Sequence, residues 1–94
     1  MTEVPERRAA IAKIVNKKGL HARASAKIVE AAARFQSQIM VSKDGQSVDA
    51  RSIMGLMMLA ASLGSDVSIE VAGPDAEEAM RAILALVEAK FGED

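Results

Sequence analysis

The chain contains a single histidine, His21, which lies where a glycine-containing turn passes into a segment of helical composition. The first backbone N–H groups of a helix point outward, and the helix dipole favours an anion at that end. Arg23 follows two residues later, and its planar guanidinium suits phosphate. A neutral imidazole is a nucleophile near neutral pH. These features together predict a histidine that carries a phosphoryl group.

A simpler interpretation competes with this one, because a lone histidine at a helix start is usually a cap or a surface residue. The composition limits the remaining possibilities. The chain lacks cysteine and has one histidine, which excludes a disulfide, a thiolate metal site and a histidine-rich metal site. A formal net charge of −1 and two phenylalanines as the only aromatic residues argue against nucleic-acid binding. We therefore expect no metal and no cofactor.

The same composition indicates where the protein works. The absence of cysteine fits a reducing cytoplasm. The first eight residues lack the apolar core of a signal peptide, and no apolar run is long enough to span a membrane. We expect a cytoplasmic protein that does not insert into membranes.

Hydrophobic periodicity and turn residues divide the chain into seven elements in the order β-α-β-β-α-β-α. The predicted strands are residues 10–15, 38–43, 46–49 and 66–72, and the predicted helices are residues 22–34, 53–63 and 76–91. Such an order predicts an open-faced α+β sandwich, in which helices cover one face of an antiparallel sheet. Residues 1–8 are expected to form a flexible tail before a single domain at residues 9–92, with residues 93–94 as the C-terminal end.

Turn and cap residues mark several boundaries. An Asp-Gly pair at residues 44–45 between two alternating runs predicts a hairpin. Ser52 and Gly64 are the expected cap and stop of the second helix. Asp75 and Glu78 have the spacing of a variant capping box at the start of the third helix.

The second helix is apolar nearly all round, so one of its faces has no obvious place in the core. The residues of its predicted buried face are Leu56, Leu59, Ala60 and Leu63. Ile53, Met54 and Met57 lie outside that face and are expected to be exposed. An exposed apolar patch usually marks an interface, and flexible methionine side chains adapt to several partners.

Two strings resemble a known family. Gly19-Leu20-His21-Ala22-Arg23 is similar to the active-site segment of HPr, the histidine-containing phosphocarrier family of the bacterial phosphotransferase system. Residues 51–57, Arg-Ser-Ile-Met-Gly-Leu-Met, resemble the regulatory serine segment of the same family. The resemblance extends over residues 9–91 and implies the sheet order 1-4-2-3, with three helices on one face.

The resemblance also implies roles and partners. His21 would accept a phosphoryl group through Nδ1 from enzyme I and pass it to a histidine of a IIA domain. Arg23 would contact that group, and Ser52 would be phosphorylated by HPr kinase/phosphorylase where that enzyme exists. The partner-docking surface would comprise Ala22, Ala26, Lys27, Ile53, Met54, Gly55 and Met57. The protein is expected to be a monomer, with no nucleic-acid partner.

One departure and one alternative accompany this assignment. Ala24 stands where the family usually has proline, and we expect little functional loss because alanine also favours a helix. The alternative is a regulatory or binding module of similar fold that acts mainly through phosphorylation of Ser52 and protein contacts. The resemblance leaves open whether the carrier serves sugar uptake or nitrogen regulation.

Overall fold

A computed structural model describes residues 6–93, and four strands and three helices make up its framework. The strands are β1 (Arg7–Lys13), β2 (Gln38–Lys43), β3 (Gln46–Asp49) and β4 (Asp66–Ala72). The helices are α1 (Ala22–Ala32), α2 (Ile53–Met58) and α3 (Ala76–Glu88), and a short 3-10 turn (Lys90–Gly92) follows. The sheet is antiparallel with the order β1-β4-β2-β3. The predicted fold class, element order and sheet order are confirmed.

Alternation along the strands explains why helices cover only one face of the sheet. In the central strand β4, Val67, Ile69 and Val71 are buried, whereas Glu70 lies exposed on the other face. Burying an aliphatic side chain of this size stabilises the fold by about 1.5–3 kcal/mol. A register slip of one residue would expose all three, so the pattern fixes the pairing of β4 with its neighbours.

The first strand begins earlier than expected. It starts at Arg7, which pairs with Ala72, and ends at Lys13, which pairs with Asp66. The predicted tail, residues 1–8, therefore loses its last two residues to β1, while residues 1–5 lie outside the described residues. An edge strand tolerates charged side chains, so the pairing extends past the apolar pattern on which the prediction depended.

The second helix ends earlier than expected, because α2 stops at Met58 and Ala60 adopts a left-handed φ of 52°. The predicted helix over residues 53–63, closed by Gly64, is wrong in its second half, and Ala60 and Leu63 are exposed. The early stop lets the chain leave the helix so that the Ala61 carbonyl accepts a hydrogen bond from the Leu20 N–H at 2.9 Å.

The predicted capping box of the third helix does not form. The Asp75 side chain makes no hydrogen bond to the first turn of α3. Its carboxylate instead accepts hydrogen bonds from the Gln36 N–H (2.9 Å), the Ser37 N–H (2.9 Å) and the Ser37 hydroxyl (2.5 Å). These bonds, that of the Ser37 hydroxyl first, lower the pKa of Asp75. The side chain joins the loop after α1 to the loop after β4, a tertiary role that overrides local capping.

None of the helices within residues 6–93 combines the length and the apolar character needed to cross a membrane.

Candidate functional site

A tight turn sets the position of His21. Gly19 adopts a φ of 64°, and a Cβ added there would lie 2.3 Å from the carbonyl oxygen of Ala61. The next residue, Leu20, is buried and donates its N–H to the same carbonyl. Only glycine allows this close approach, so the turn holds His21 at the start of α1.

His21 occupies the N-cap position of α1 but does not cap it with its side chain. The N–H groups of residues 22–24 open the helix and therefore have no intrahelical acceptor. Arg23 lies exposed in this first turn, while Ala24 is fully buried beneath it. Open N–H groups, the positive end of the helix dipole and an exposed arginine thus share the first turn of α1 with His21, a combination suited to a phosphoryl group.

The other side of the imidazole contacts a carboxylate from the far end of the chain. His21 Nε2 lies 3.2 Å from Oε2 of Glu93. Asn16, which is 1% exposed, donates through Nδ2 to the same oxygen at 2.9 Å and to the Gly19 carbonyl at 2.9 Å. The hydrogen bond from Asn16, more than that from His21, lowers the pKa of Glu93.

The chemistry of the carboxylate fixes the tautomer of the ring. An ionised carboxylate can only accept hydrogen bonds, so Nε2 of the neutral His21 ring carries the proton. The lone pair of the neutral ring then lies on Nδ1.

Asn16 and Glu93 were not among the site residues predicted from the sequence. Asn16 was assigned only to a turn, and Glu93 only to the C-terminal end. Glu93 is 72 residues from His21 along the chain, and no local pattern indicates the contact. The one available signal for Asn16 is a polar residue directly after an apolar strand, which is too common to be specific.

Ser52 begins α2 and fulfils the predicted structural role. Its hydroxyl accepts a hydrogen bond from the Gly55 N–H at 3.0 Å, which caps the helix. The preceding guanidinium, that of Arg51, is engaged through Nη2. It donates to the backbone carbonyls of Ala32 (2.9 Å), Phe35 (2.7 Å) and Ser37 (3.3 Å). Both polar side chains at the start of α2 therefore serve the fold of the unmodified protein.

The predicted docking residues lie on α1 and α2, which pack against each other. Met54 is 70% exposed, and Ile53 and Met57 are each 40% exposed, as expected from the sequence. Ala22 is exposed, whereas Ala26, Lys27 and Gly55 are half-buried. Met58 and Leu63, 65% and 56% exposed, add apolar area that the sequence prediction omitted.

Comparison with known proteins identifies the family. A family profile described as the PTS HPr component phosphorylation site matches residues 9–89. The phosphocarrier protein HPr of Cupriavidus necator is 59% identical over 80 residues, which cover 85% of this chain and 90% of that protein. The crystal structure of HPr from Thermoanaerobacter tengcongensis has a TM-score of 0.89 at 47% identity and covers 93% of this chain and 98% of its own. The crystal structure of an HPr dimer from that organism has a TM-score of 0.74 at 47% identity, with coverage of 99% and 100%. This chain therefore belongs to the HPr family of phosphocarrier proteins of the phosphotransferase system.

Proposed function

We propose that this chain is the phosphoryl carrier between enzyme I and a IIA domain in the phosphoenolpyruvate-dependent system. His21 accepts the phosphoryl group on Nδ1 and passes it to a histidine of the IIA domain. The observation that supports this most directly is the position of His21 at the uncapped N-terminus of α1, with Arg23 exposed in the same turn.

The chemistry requires positioning more than bond activation. Phosphoryl transfer passes through a loose transition state whose charge is spread over the equatorial oxygens. The free N–H groups of residues 22–24 and the Arg23 guanidinium are the groups that can neutralise this charge. The Nδ1 lone pair of His21 forms the new P–N bond. The P–N bond of the donor breaks at the same time, and the electron pair of that bond returns to the donor's ring. No protein metal or additional base is required for this exchange.

The exposed apolar side chains of α2 form the proposed docking patch, defined as Ile53, Met54 and Met57, together with the first turns of α1. Both partners then approach the same face that carries His21, so one surface serves donor and acceptor in turn.

We also propose that Ser52 is a phosphorylation switch. A phosphate there would add nearly two negative charges beside Met54 and would oppose docking without unfolding the helix.

The proposal places the carrier in the cytoplasm, where its cysteine-free composition suits a reducing environment. It acts as a monomer, since each partner needs free access to the docking patch. Sedimentation at working concentrations tests this, because an obligate dimer would contradict it.

Phosphorylation in vitro tests the carrier function. The purified protein is incubated with enzyme I and phosphoenolpyruvate, and we expect one acid-labile phosphate per chain. His21→Ala should take up none while its thermal melt matches that of the original protein. Normal uptake by His21→Ala, or no uptake by the original protein, would overturn the proposal. If only Ser52 is modified, by an ATP-dependent kinase, the regulatory-module alternative is favoured.

A charge placed in the docking patch tests the interface. Met54→Glu should weaken the affinity for enzyme I by about tenfold, because it puts an ion into an apolar contact. Ile11→Glu is the matched control, since Ile11 is 73% exposed on β1, outside α1 and α2. Equal effects of the two variants, measured by calorimetry, would contradict the assignment of the patch.

A further inference from the structure

The sulfur atoms of the chain are concentrated on one helix. The chain contains six methionines and no cysteine, so thioethers are its only sulfur groups. Three of them, Met54, Met57 and Met58, lie on α2 and are called the methionine cluster below. We propose that this cluster is an oxidation site, at which a hydroperoxide converts thioether to sulfoxide and thereby opposes docking of the phosphotransfer partners. The position of the site is independent of the proposed function, whereas the effect on docking rests on that function.

Helical spacing places the three side chains of the cluster on one surface. Met54 precedes Met57 by three residues and Met58 by four, and residues at these intervals are neighbours on a helix. Met54 is 70% exposed, Met58 65% and Met57 40%. The helix is held in the core by another residue, Leu56, which is fully buried. An oxygen added to a sulfur of the cluster therefore has room at the surface and displaces nothing in the core.

Two other methionines within the described residues provide an internal comparison. Met80 on α3 is buried at 7% exposure. Met40 on β2 is half-buried, and its sulfur accepts a hydrogen bond from Nε2 of Gln38 at 3.7 Å. An oxidant has to reach a sulfur lone pair from solvent, so susceptibility follows exposure. The cluster is therefore expected to react first and Met80 last.

The reaction is a two-electron oxygen transfer. A sulfur lone pair attacks the terminal oxygen of the hydroperoxide, so the S–O bond forms as the O–O bond breaks. The departing oxygen keeps the electron pair of the O–O bond, takes up the proton of the transferred oxygen and leaves as water or an alcohol. Sulfur is oxidised and the peroxide is reduced, and no further reactant is needed. Two thiols of a methionine sulfoxide reductase reverse the change, and they leave as a disulfide while the oxygen leaves as water.

Sulfoxide formation changes the polarity of the docking patch. A thioether is apolar and flexible, and it suits contacts with several partners. A sulfoxide carries an acceptor oxygen, which loses its hydrogen bonds to water when an apolar partner surface covers it. Met54 and Met57 belong to the docking patch, and Met58 follows them on the same helix. Oxidation of the cluster therefore opposes docking, as a phosphate on Ser52 does in the proposed switch, but it responds to peroxide and needs no kinase.

Limited oxidation tests the position of the site. The purified protein is treated with dilute hydrogen peroxide, sampled at successive times and analysed by peptide mass spectrometry. We expect Met54 and Met58 to gain oxygen at least about fivefold faster than Met80. Protein oxidised only in the cluster should melt at the same temperature as untreated protein. Oxidation of Met80 at the rate of the cluster, or unfolding when only the cluster is oxidised, would overturn the inference.

Transfer kinetics test the effect on docking. Protein oxidised in the cluster should accept phosphate from enzyme I about three- to tenfold more slowly than untreated protein, and a methionine sulfoxide reductase should restore the rate. The combined Met54→Leu, Met57→Leu and Met58→Leu variant should lose this sensitivity to peroxide, when its oxidised form is compared with its own untreated form. Met40→Leu is the matched control and should remain as sensitive as the original protein.

The two tests separate the oxidation site from the carrier function. Unchanged phosphate uptake after oxidation of the cluster, or full sensitivity to peroxide in the combined leucine variant, would overturn the inference. Failure of the carrier function would appear differently, as absent phosphate uptake by the untreated protein. The pattern of oxidised methionines is measured without enzyme I and does not depend on that result.

Discussion

The N-termini of α1 and α2 carry the two residues that HPr chemistry and regulation would use, and they are built in opposite ways. Ser52 satisfies its own helix, because its hydroxyl accepts from the Gly55 N–H. The His21 side chain does not cap its helix, and its Nε2 instead contacts the carboxylate of Glu93, a residue from the other end of the chain. The adjacent arginines differ in the same sense, since Arg51 is engaged with backbone carbonyls and Arg23 lies exposed.

This difference separates a helix end that is closed by its own side chain from one whose first N–H groups stay open to an anion, as the proposed carrier function requires. Helix N–H groups without an acceptor leave hydrogen-bonding capacity unused in the resting protein, and a bound anion would satisfy it. Ser52 differs because its hydroxyl already caps its helix. A phosphate added to that hydroxyl must replace the hydrogen bond that it accepts from the Gly55 N–H. The contrast predicts that changes near His21 alter rates, whereas changes near Ser52 alter stability or docking.

Replacing Arg23 gives the largest expected effect. Arg23→Ala should slow phosphoryl transfer by roughly ten- to a thousandfold, the range for one charged transition-state contact, and leave the thermal melt unchanged. Arg23→Lys should recover only part of the rate, because an ammonium lacks the bidentate fork. Single-turnover transfer from enzyme I measures both.

Arg51→Ala is the control for that comparison. It removes the donor to the carbonyls of Ala32, Phe35 and Ser37 and should lower stability by about 1–2 kcal/mol, with little change in transfer rate. If the two variants behave alike in both assays, the proposed distinction between the helix ends is wrong.

The turn that positions His21 should be nearly intolerant of a side chain. Gly19→Ala places a methyl group 2.3 Å from the Ala61 carbonyl oxygen, in a backbone with φ of 64°. We expect a loss of about 2–4 kcal/mol in the free energy of unfolding. Gly45→Ala has a similar φ but no atom within 4 Å of the new Cβ, and should cost only about 1 kcal/mol. Urea melts of the two variants distinguish a steric clash from backbone strain, and equal losses would contradict the clash.

Local patterns in the sequence predicted one of these helix ends well and the other in part. The Ser52 cap depends on residues three apart, so it could be read from the sequence, as could the alternation of Val67, Ile69 and Val71. The contact between His21 and Glu93 spans 72 residues and depends on a left-handed turn that no pattern indicates. The Asp75 cap failed for the same reason, because distant loop amides compete for its carboxylate.

Modification at the start of α2 should act on docking and leave the fold intact. Ser52→Asp retains an acceptor for the Gly55 N–H and adds one charge beside Met54. We expect uptake of phosphate from enzyme I to slow several-fold, about tenfold at most, with an unchanged or slightly higher melting temperature. Ser52→Ala, the matched control, should cost about 1 kcal/mol of stability and keep the original uptake rate. Uptake by Ser52→Asp at the original rate would exclude a docking block, and unfolding of that variant would reduce Ser52 to a structural cap.

The smallest expected effect concerns the residue that ends α2 early and so permits the hydrogen bond from Leu20 to Ala61. Ala60 has a φ of 52°, where a Cβ is unfavourable, so Ala60→Gly should raise the free energy of unfolding by about 0.5–1 kcal/mol. The same exchange at Ala33, which is exposed with φ of −65°, should lower it by a similar amount, about 0.5–1 kcal/mol, because glycine only adds freedom to the unfolded chain there. Opposite signs in paired thermal melts, with phosphate uptake unchanged in both variants, would show that the turn after α2 supports the His21 site through its geometry alone. A destabilised Ala60→Gly would mean that the alanine side chain contributes packing which outweighs its unfavourable backbone.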